Sequence, residues 1–273
     1  MNIGRSHSWK GITNERIFKA ATISCLVLLT VFFVGIVSSL VTYTNWETMI
    51  ATLVSPEIIF AIKLTVITAT ISAALAILAA IPAAYAISKF NFPGKSIVDT
   101  ILDLPIVISP IALGAALLVF FNTPLGMVIE VKIARFVFEV PGIILAQFTV
   151  ITALAIRLLK STFDGIDPRY EQVSRTLGCS KLKAFLRVTL PLAKDGLIAS
   201  GILTWARAIG EFGATVTLAG ATKMKTETLP IAIYLNLATA DVEKAVAVIF
   251  ILIALSLVAL ISLRKISTTR YHL

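Results

Sequence analysis

Long stretches of apolar residues follow one another along the chain, separated by short polar segments. Six of them reach the length of about 17 to 25 apolar residues that an α-helix needs to cross a bilayer. They lie at residues 17–41, 58–87, 101–121, 137–159, 195–219 and 245–263. Pro105 and Pro110 interrupt the third stretch, which predicts a kinked helix there. The pattern predicts an all-α polytopic membrane protein with six transmembrane helices.

The composition agrees with lipid as the solvent of this chain. Apolar residues make up 58% of the 273 residues and charged residues only 14%, whereas soluble domains carry about 25% charged residues. The first apolar stretch is too long for the core of a signal peptide and no A-x-A-like cleavage site follows it, so we interpret it as a retained helix. The net charge of +9 does not indicate nucleic-acid binding, because the basic residues cluster at the ends of the predicted helices.

Lys and Arg residues are distributed unevenly between the two sides of the predicted bundle. When six helices are threaded through the membrane, 17 basic residues fall on one side, 6 fall on the other, and Arg207 lies within the membrane. Cytoplasmic loops carry the excess of basic residues. We therefore predict cytoplasmic termini, with an N-terminal segment at 1–16, a transmembrane domain at 17–263 and a tail at 264–273.

Residues 160–194 form the most basic cytoplasmic segment and predict two short helices joined by a glycine. The segment holds an N-cap, a first-turn proline, a helix-ending glycine, a second N-cap and a proline that ends the second helix. In chain order these are Asp167, Pro168, Gly178, Ser180 and Pro191. One face of the first helix carries Tyr170, Val173, Ser174 and Leu177. Such an element either lies on lipid headgroups or docks onto a cytoplasmic partner.

The same segment resembles the EAA loop of ABC importer permeases, in which a glycine and a Leu-Pro pair stand at fixed spacing. Gly178, Leu190 and Pro191 match that pattern, while Gln172 occupies the position of the motif glutamate and Glu171 precedes it. In that family the loop forms coupling helices that bind a separate ATPase subunit. The resemblance implies a type I ABC importer-like fold. It also implies ATPase contacts through Glu171, Gln172, Leu177, Gly178, Leu190 and Pro191.

The chain itself shows no signature of catalysis. It contains no G-x-x-x-x-G-K-[ST] sequence and therefore lacks a P-loop. The resemblance implies that the partner ATPase binds ATP and Mg²⁺, and that this chain is not an enzyme and needs no cofactor. A membrane enzyme is also disfavoured because no Ser/His/Asp set, HExxH pattern or pair of intramembrane aspartates occurs. Cys25 and Cys179 do not have the spacing of a metal site.

Two charged residues lie at bilayer depth in the fifth apolar stretch. Arg207 and Glu211 are spaced i, i+4 and can pair on one face of a helix. The same face carries Gly196, Ser200, Thr204 and Thr215. A central arginine costs about 2.5–3.5 kcal/mol on insertion scales, so this stripe is expected to face protein or water. The pair either fixes the helix register, or it gates a substrate path lined by Ser200, Thr204, Arg207, Glu211 and Thr215.

Two runs resemble permeases for molybdate, tungstate and sulfate. They are residues 201–220, which include RAIGEFGAT, and residues 103–126. The resemblance implies an oxyanion importer of the prokaryotic plasma membrane, with residues 121–126 favouring molybdate or tungstate over the alternative, sulfate or thiosulfate. It implies a second copy of the chain, two ATP-binding cassette ATPases and an extracytoplasmic oxyanion-binding protein as partners. The alternative of another class, an ion-coupled secondary transporter, needs titratable midplane groups, and only Glu211 qualifies.

Overall fold

The computed structural model describes the backbone of residues 6–268 and the side chains of residues 15–262, and every regular element within that range is helical. The helices are α1 Ser6–Leu40, α2 Trp46–Val54, α3 Pro56–Lys89, α4 Lys95–Val107, α5 Pro110–Phe121, α6 Pro124–Lys132, α7 Val140–Asp164, α8 Arg169–Thr176, α9 Lys181–Ala184, α10 Leu190–Leu192, α11 Lys194–Ile209, α12 Gly213–Leu218, α13 Leu229–Ala238 and α14 Val242–Thr268. A π turn, Phe185–Thr189, joins α9 to α10. The predicted all-α fold is confirmed.

Four helices of the described chain are long and apolar enough to cross a membrane. Their qualifying spans are Glu15–Tyr43, Pro56–Lys89, Val140–Asp164 and Val242–Ser262. Helices α4 and α5 meet the same criterion only as a pair bent by 110°. The described chain therefore holds four spans, or five if the bent pair counts as one. The number of six and the cytoplasmic position of both termini stay predictions.

The core is built where α3 and α7 lie against each other, with α11 packed on both. Small side chains allow this close approach, because they let helix backbones come near each other in an apolar medium. Helix α3 contributes a row of buried alanines at helical spacing: Ala69, Ala73, Ala76, Ala80 and Ala84. Larger residues of α7, among them Ile151, Leu159 and Phe163, fill the space opposite. This rigid core supports both candidate sites described below.

The bend between α4 and α5 confirms the interruption predicted at Pro105 and Pro110. Pro105 lies inside α4, while Ser109 caps α5 and Pro110 occupies its first turn. The residue before a proline disfavours the helical conformation, and Ser109 is accordingly extended (φ −61°, ψ 143°). The bend thus follows from local sequence.

Helix α1 differs from the other long helices because none of its described side chains, at residues 15–40, is buried. In an apolar window of 18 residues, the buried share is 0% for α1, 39% for α3 and 56% for α7. Phe18, Leu28 and Phe33 are all more than half exposed. Among the described residues, α1 contacts mainly the short 3₁₀ turn, Val41–Tyr43, that follows it.

Candidate functional site: a cytoplasmic element and a broken helix

The helix–glycine–helix element predicted at 160–194 is present, with its predicted caps. Asp167 Oδ1 accepts a hydrogen bond from the Arg169 backbone N–H at 2.9 Å, and α8 begins at that residue. Pro168 has helical dihedral angles (φ −57°, ψ −20°) and immediately precedes α8. Gly178 has φ +90°, and Ser180 Oγ accepts from the Lys183 N–H at 3.3 Å. Local capping chemistry therefore specifies the shape of this element.

The second helix of the element does not end at Pro191, so that prediction is wrong. It runs without a break from Lys181 through the π turn to Leu192, and Ala193 separates it from α11. Proline lacks the N–H that would continue an α-helical ladder. The π turn directly before Pro191 changes that ladder, which lets the chain stay helical through the proline.

Glu171 fastens this element to the transmembrane core. Its Oε1 and Oε2 accept hydrogen bonds from the Tyr85 hydroxyl of α3 at 3.1 and 2.9 Å. The Thr189 hydroxyl, in the π turn, donates to Oε1 of the same carboxylate. The Tyr85 ring also packs against Phe185, with ring centroids 4.6 Å apart. One carboxylate thereby joins α8, the π turn and the end of a membrane-spanning helix.

Gln172, which occupies the motif glutamate position in the sequence, is exposed. The structure therefore gives the anchoring role to the preceding residue, Glu171. Sequence reasoning did not find Tyr85 and Thr189, because these residues lie 86 and 18 positions away from Glu171. The only local signal of an anchor is the presence of a carboxylate in this helix.

The outward face of the element presents apolar side chains to solvent. Tyr170 and Val173 are more than half exposed, and Leu177 is 80% exposed. The same holds for Leu182, at 66%. Among the other predicted contact residues, Gly178 and Pro191 are exposed and Leu190 is half-buried. A cluster of this kind on a polar face is typical of a protein interaction surface.

A polar cavity of about 440 Å³ lies behind this face, between α8 and the end of α3. It is lined by Tyr85, Ser88, Lys89, Phe90, Asp164, Pro168, Glu171, Gln172, Arg175 and Lys181. The Lys89 ammonium donates to the Ile166 carbonyl at 2.9 Å, and Asp164 Oδ1 accepts from the Ser88 hydroxyl at 2.6 Å. These bonds add to the anchoring of the element.

The second candidate site is a break in the fifth apolar stretch. Helix α11 ends at Ile209, three residues outside any regular helix follow, and α12 begins at Gly213. The prediction of one continuous helix over 195–219 is therefore wrong. Glu211 explains part of the break, because its Oε1 accepts a hydrogen bond from the Ala214 N–H at 3.0 Å and so caps α12.

The predicted ion pair is present at this break. Arg207 Nη2 lies 2.8 Å from Glu211 Oε2. The Glu211 side chain is 1% exposed, whereas that of Arg207 is 39% exposed. One oxygen of Glu211 thus faces the guanidinium while the other caps α12. The guanidinium has further N–H donors, and the Arg207 side chain is partly exposed.

The other stripe residues are buried on the two halves of the broken helix. Ser200 and Thr204 lie on α11, and Thr215 lies on α12 beyond the break. The prediction that all of them share one helix face is wrong, because the break separates Thr215 from the rest. The Thr204 and Thr215 hydroxyls have no hydrogen-bond partner among the described residues. A buried hydroxyl without a protein partner calls for another one, such as a bound water.

Close helix contact holds α12 in place. A Cβ added to Gly114 of α5 would lie 1.8 Å from Thr217 Oγ1 and 2.7 Å from the Ala214 carbonyl oxygen. A Cβ on Gly213 would lie 3.0 Å from atoms of Pro110 and Ile111. The bent pair of α4 and α5 therefore packs directly against the second half of the broken helix.

Arg157 of α7 holds the other half of the bent pair. Its Nη1 lies 2.7 Å from Asp99 Oδ1, and its Nε donates to Asp103 Oδ1. Both aspartates lie within α4 and bind a guanidinium that is 54 or more residues away in the sequence.

A loop at residues 221–228 carries charges that tie it to neighbouring helices. Glu57 of α3 pairs with Lys223 at 2.9 Å and with Lys244 of α14 at 2.8 Å. The hydrogen bond to Glu57 raises the pKa of Lys223. Burial raises the pKa of Glu227, although its carboxylate accepts from the Met224 N–H at 2.9 Å. Cross-linking by ion pairs therefore fixes a loop that also contains a buried carboxyl group.

Residues 75–269 match the family of binding-protein-dependent transport system inner membrane components. The chain belongs to this family. The match covers both candidate sites and assigns the chain to the membrane component of a binding-protein-dependent transport system. The chain is a multi-pass permease subunit of a prokaryotic ABC importer and not the ATPase.

Curated relatives and solved structures agree with this membership. A probable molybdenum ABC transporter permease of Haloferax volcanii is 33% identical to this chain, and the match covers 82% of this chain and 81% of the relative. The molybdenum transport system permease ModB of Escherichia coli K12 is 34% identical, over 65% of this chain and 80% of its own. The sulfate transport system permease CysW of Synechocystis is 33% identical over 74% of each.

The fold likeness extends over nearly the whole chain. The crystal structure of a bacterial ABC transporter involved in the import of alginate contains a chain with a TM-score of 0.76 and 18% identity. That match covers 97% of this chain and 99% of the other. At such low identity the likeness shows the fold alone, and it confirms the predicted permease architecture.

Proposed function

We propose that this chain forms the translocation path of an ATP-driven importer for a tetrahedral oxyanion, with molybdate or tungstate as the substrate. The names of its relatives carry the proposal, since molybdenum permeases match it at 33% and 34% identity. Sulfate is the second candidate, because a sulfate permease matches at 33%. All three anions are tetrahedral and carry two negative charges. A cationic side chain in a narrow path can bind an anion of this kind.

In this proposal Arg207 and Glu211 form the gate of the path, and Ser200, Thr204 and Thr215 line it. The pair at 2.8 Å keeps the path nearly neutral at rest. Movement of α11 relative to α12 would separate the charges and offer the guanidinium to an anion. The break between α11 and α12, which contains Gly210, supplies the required hinge, because glycine gives the backbone conformational freedom.

Force reaches this gate from the cytoplasmic element through Glu171. The anchoring of Glu171 to Tyr85 and Thr189 favours a rigid docking lever over a loose amphipathic segment on headgroups. The exposed residues around Leu177 form the surface that docks onto a separate ATPase. Two such ATPases bind ATP and Mg²⁺, and this chain contributes no cofactor.

A second copy of the chain completes the path. The described apolar side chains of α1 are uncovered, and a path with one guanidinium per chain needs a second half. We place the second copy against these surfaces and the extracytoplasmic binding protein over the 221–228 loop. The topology in this proposal has six spans and both termini, residues 1–16 and 264–273, in the cytoplasm.

Reconstituted transport with the binding protein and ATPase tests the substrate. Radiolabelled molybdate uptake into proteoliposomes is expected to require ATP and to be inhibited more strongly by tungstate than by sulfate. Uptake driven by a proton or sodium gradient without nucleotide would refute the proposal. Stronger inhibition by sulfate than by tungstate would assign the chain to sulfate instead.

A matched pair of substitutions tests the lever. Glu171→Leu removes the carboxylate that joins α8 to α3, whereas Gln172→Leu changes an exposed neighbour. We expect the first variant to lower the number of anions imported per ATP hydrolysed more strongly than the second, because Glu171 joins α8 to α3 in addition to lying in the predicted ATPase contact. Equal ratios in the two variants would contradict the anchoring role of Glu171.

A further inference from the structure

Gln147 is a fully buried amide in the middle of α7, facing α3 on one side and α11 on the other. The hydroxyl of Ser72, on α3, lies 3.0 Å from Gln147 Oε1 and 3.0 Å from the Ile144 carbonyl oxygen. Gln147 Nε2 donates to the carbonyl oxygen of Ala208 at 3.2 Å. A polar chain thus crosses three packed helices at a depth where apolar side chains dominate.

The acceptor in this chain, the Ala208 carbonyl, lies at the point where α11 breaks. In an unbroken helix it would accept from the N–H four residues later. Here it accepts instead from the N–H groups of Gly210 and Glu211, the latter at 3.1 Å. The amide of Gln147 is a third donor to the same oxygen, and it comes from a different helix. It therefore fixes the last turn of α11 to the rigid core.

The position of this last turn determines where the gate charges lie. Arg207 directly precedes Ala208, and Glu211 follows it by three residues. Glu211 must place one oxygen at Arg207 Nη2 and the other at the Ala214 N–H. Both contacts require α11 to end at a defined residue and in a defined direction.

We propose that Gln147 is a positioning residue that sets the break in the fifth helix and so holds the Arg207–Glu211 pair in its gating geometry. Ser72 orients the amide by donating to its oxygen, which turns the NH₂ group toward Ala208. The role of Gln147 in gating rests on the proposed function. Its role in setting the break rests only on the described contacts and is measured separately.

Substitution with methionine separates this role from packing. Methionine has nearly the length and volume of glutamine, so Gln147→Met keeps the core filled while it removes both hydrogen bonds. Ala208 then retains its two backbone donors, so the chain is expected to fold. Thr149→Val is the matched control, because Thr149 lies on the same helix and its hydroxyl bonds only to the Leu145 carbonyl, within α7.

Hydrogen–deuterium exchange of the complete transporter reports the break directly. Loss of one hydrogen bond of about 1 kcal/mol corresponds to an increase of about fivefold in amide exchange, and we expect this for Gly210 to Ala214 in Gln147→Met. Exchange in the rest of α7 and in Thr149→Val is expected to stay within about twofold of wild type, since local bonds there are intact. An equal increase throughout α3, α7 and α11 would indicate simple loss of packing and overturn the proposal, as would no increase at the break.

Transport by the same variants tests the link to the gate. We expect Gln147→Met to import fewer anions per ATP hydrolysed while the complex still binds and hydrolyses ATP. Unchanged import beside raised exchange would overturn the link to the gate. If Gln147→Met does not assemble, Ser72→Ala provides the test, because it keeps the glutamine but removes the hydrogen bond that orients its amide. Amide exchange at Gly210 to Ala214 must then rise in Ser72→Ala. If wild-type protein imports no oxyanion, the proposed substrate fails, whereas the exchange result still judges the positioning role.

Discussion

Replacing Arg207 by methionine leaves a buried carboxylate without its counter-charge. The Glu211 side chain is 1% exposed and that of Arg207 is 39% exposed, with 2.8 Å between Nη2 and Oε2. Breaking a fully buried pair costs about 3–5 kcal/mol, whereas a surface pair is worth about 0–1 kcal/mol. With one partner buried and the other partly open, we expect Arg207→Met to destabilise the fold by about 2 kcal/mol.

A second substitution separates structural pairing from gating. Glu211→Gln removes the charge but keeps an amide oxygen that can accept from the Ala214 N–H, so the cap of α12 is retained. The double variant, Arg207→Met with Glu211→Gln, has no unpaired buried charge. We therefore expect its stability to return to within about 1 kcal/mol of wild type, since only the net worth of the pair is lost.

Thermal unfolding of the purified chain in detergent measures the change in stability, and uptake by the reconstituted complex measures gating. About 2 kcal/mol corresponds to a fall of roughly 4–8 °C in Tm for a chain of this size. We expect the double variant to unfold near the wild-type Tm and yet to import no oxyanion. Wild-type uptake by the double variant would refute gating by the pair, and a double variant less stable than Arg207→Met would refute the electrostatic reasoning.

Three further predictions use other parts of the structure. Gly178→Val forces a β-branched residue to φ +90°, which costs about 1–2 kcal/mol, and should lower the number of anions imported per ATP hydrolysed. Gly178→Asn should lower this number less, and equal numbers in the two variants would contradict a role for the glycine conformation. Gly114→Val collides with the Thr217 hydroxyl and should lower Tm. Gly201→Ala, where the added Cβ has no neighbour within 4 Å, should not lower Tm, since alanine favours a helix more than glycine does. Burial raises the pKa of Glu227, so the folded protein loses stability as the pH rises above the ordinary pKa of a glutamate. Glu227→Gln should therefore raise Tm at neutral pH and leave it unchanged in acid. A rise in Tm confined to acid would contradict the raised pKa.

Features that depend on neighbouring residues were predictable from the sequence. Apolar stretches longer than a bilayer is thick specify membrane helices wherever they occur. Asp167, Gly178 and Ser180 cap helices through contacts within a few residues, and all three behave as predicted. The i, i+4 spacing likewise brought Arg207 to Glu211, because the side chain of Glu211 reaches back across the break.

Features that depend on distant partners were decided only by the tertiary structure. Tyr85 and Thr189 selected Glu171 as the anchor and left Gln172 exposed, although the motif spacing pointed to Gln172. Arg157 pairs with Asp99 and Asp103 of α4, which are 54 or more residues away in the sequence.

The break in the fifth helix has a local and a distant cause. Residues 195–219 are apolar enough for one continuous helix, although Gly210 and Gly213 weaken the helix at the break. Its backbone groups found other partners, the Glu211 carboxylate for the Ala214 N–H and the Gln147 amide, 61 residues away, for the Ala208 carbonyl. In an apolar medium each backbone polar group must be satisfied by some partner. The sequence by itself determined that the chain is helical and apolar and where short-range caps end its cytoplasmic helices, whereas packing against other helices decided where the fifth apolar stretch breaks.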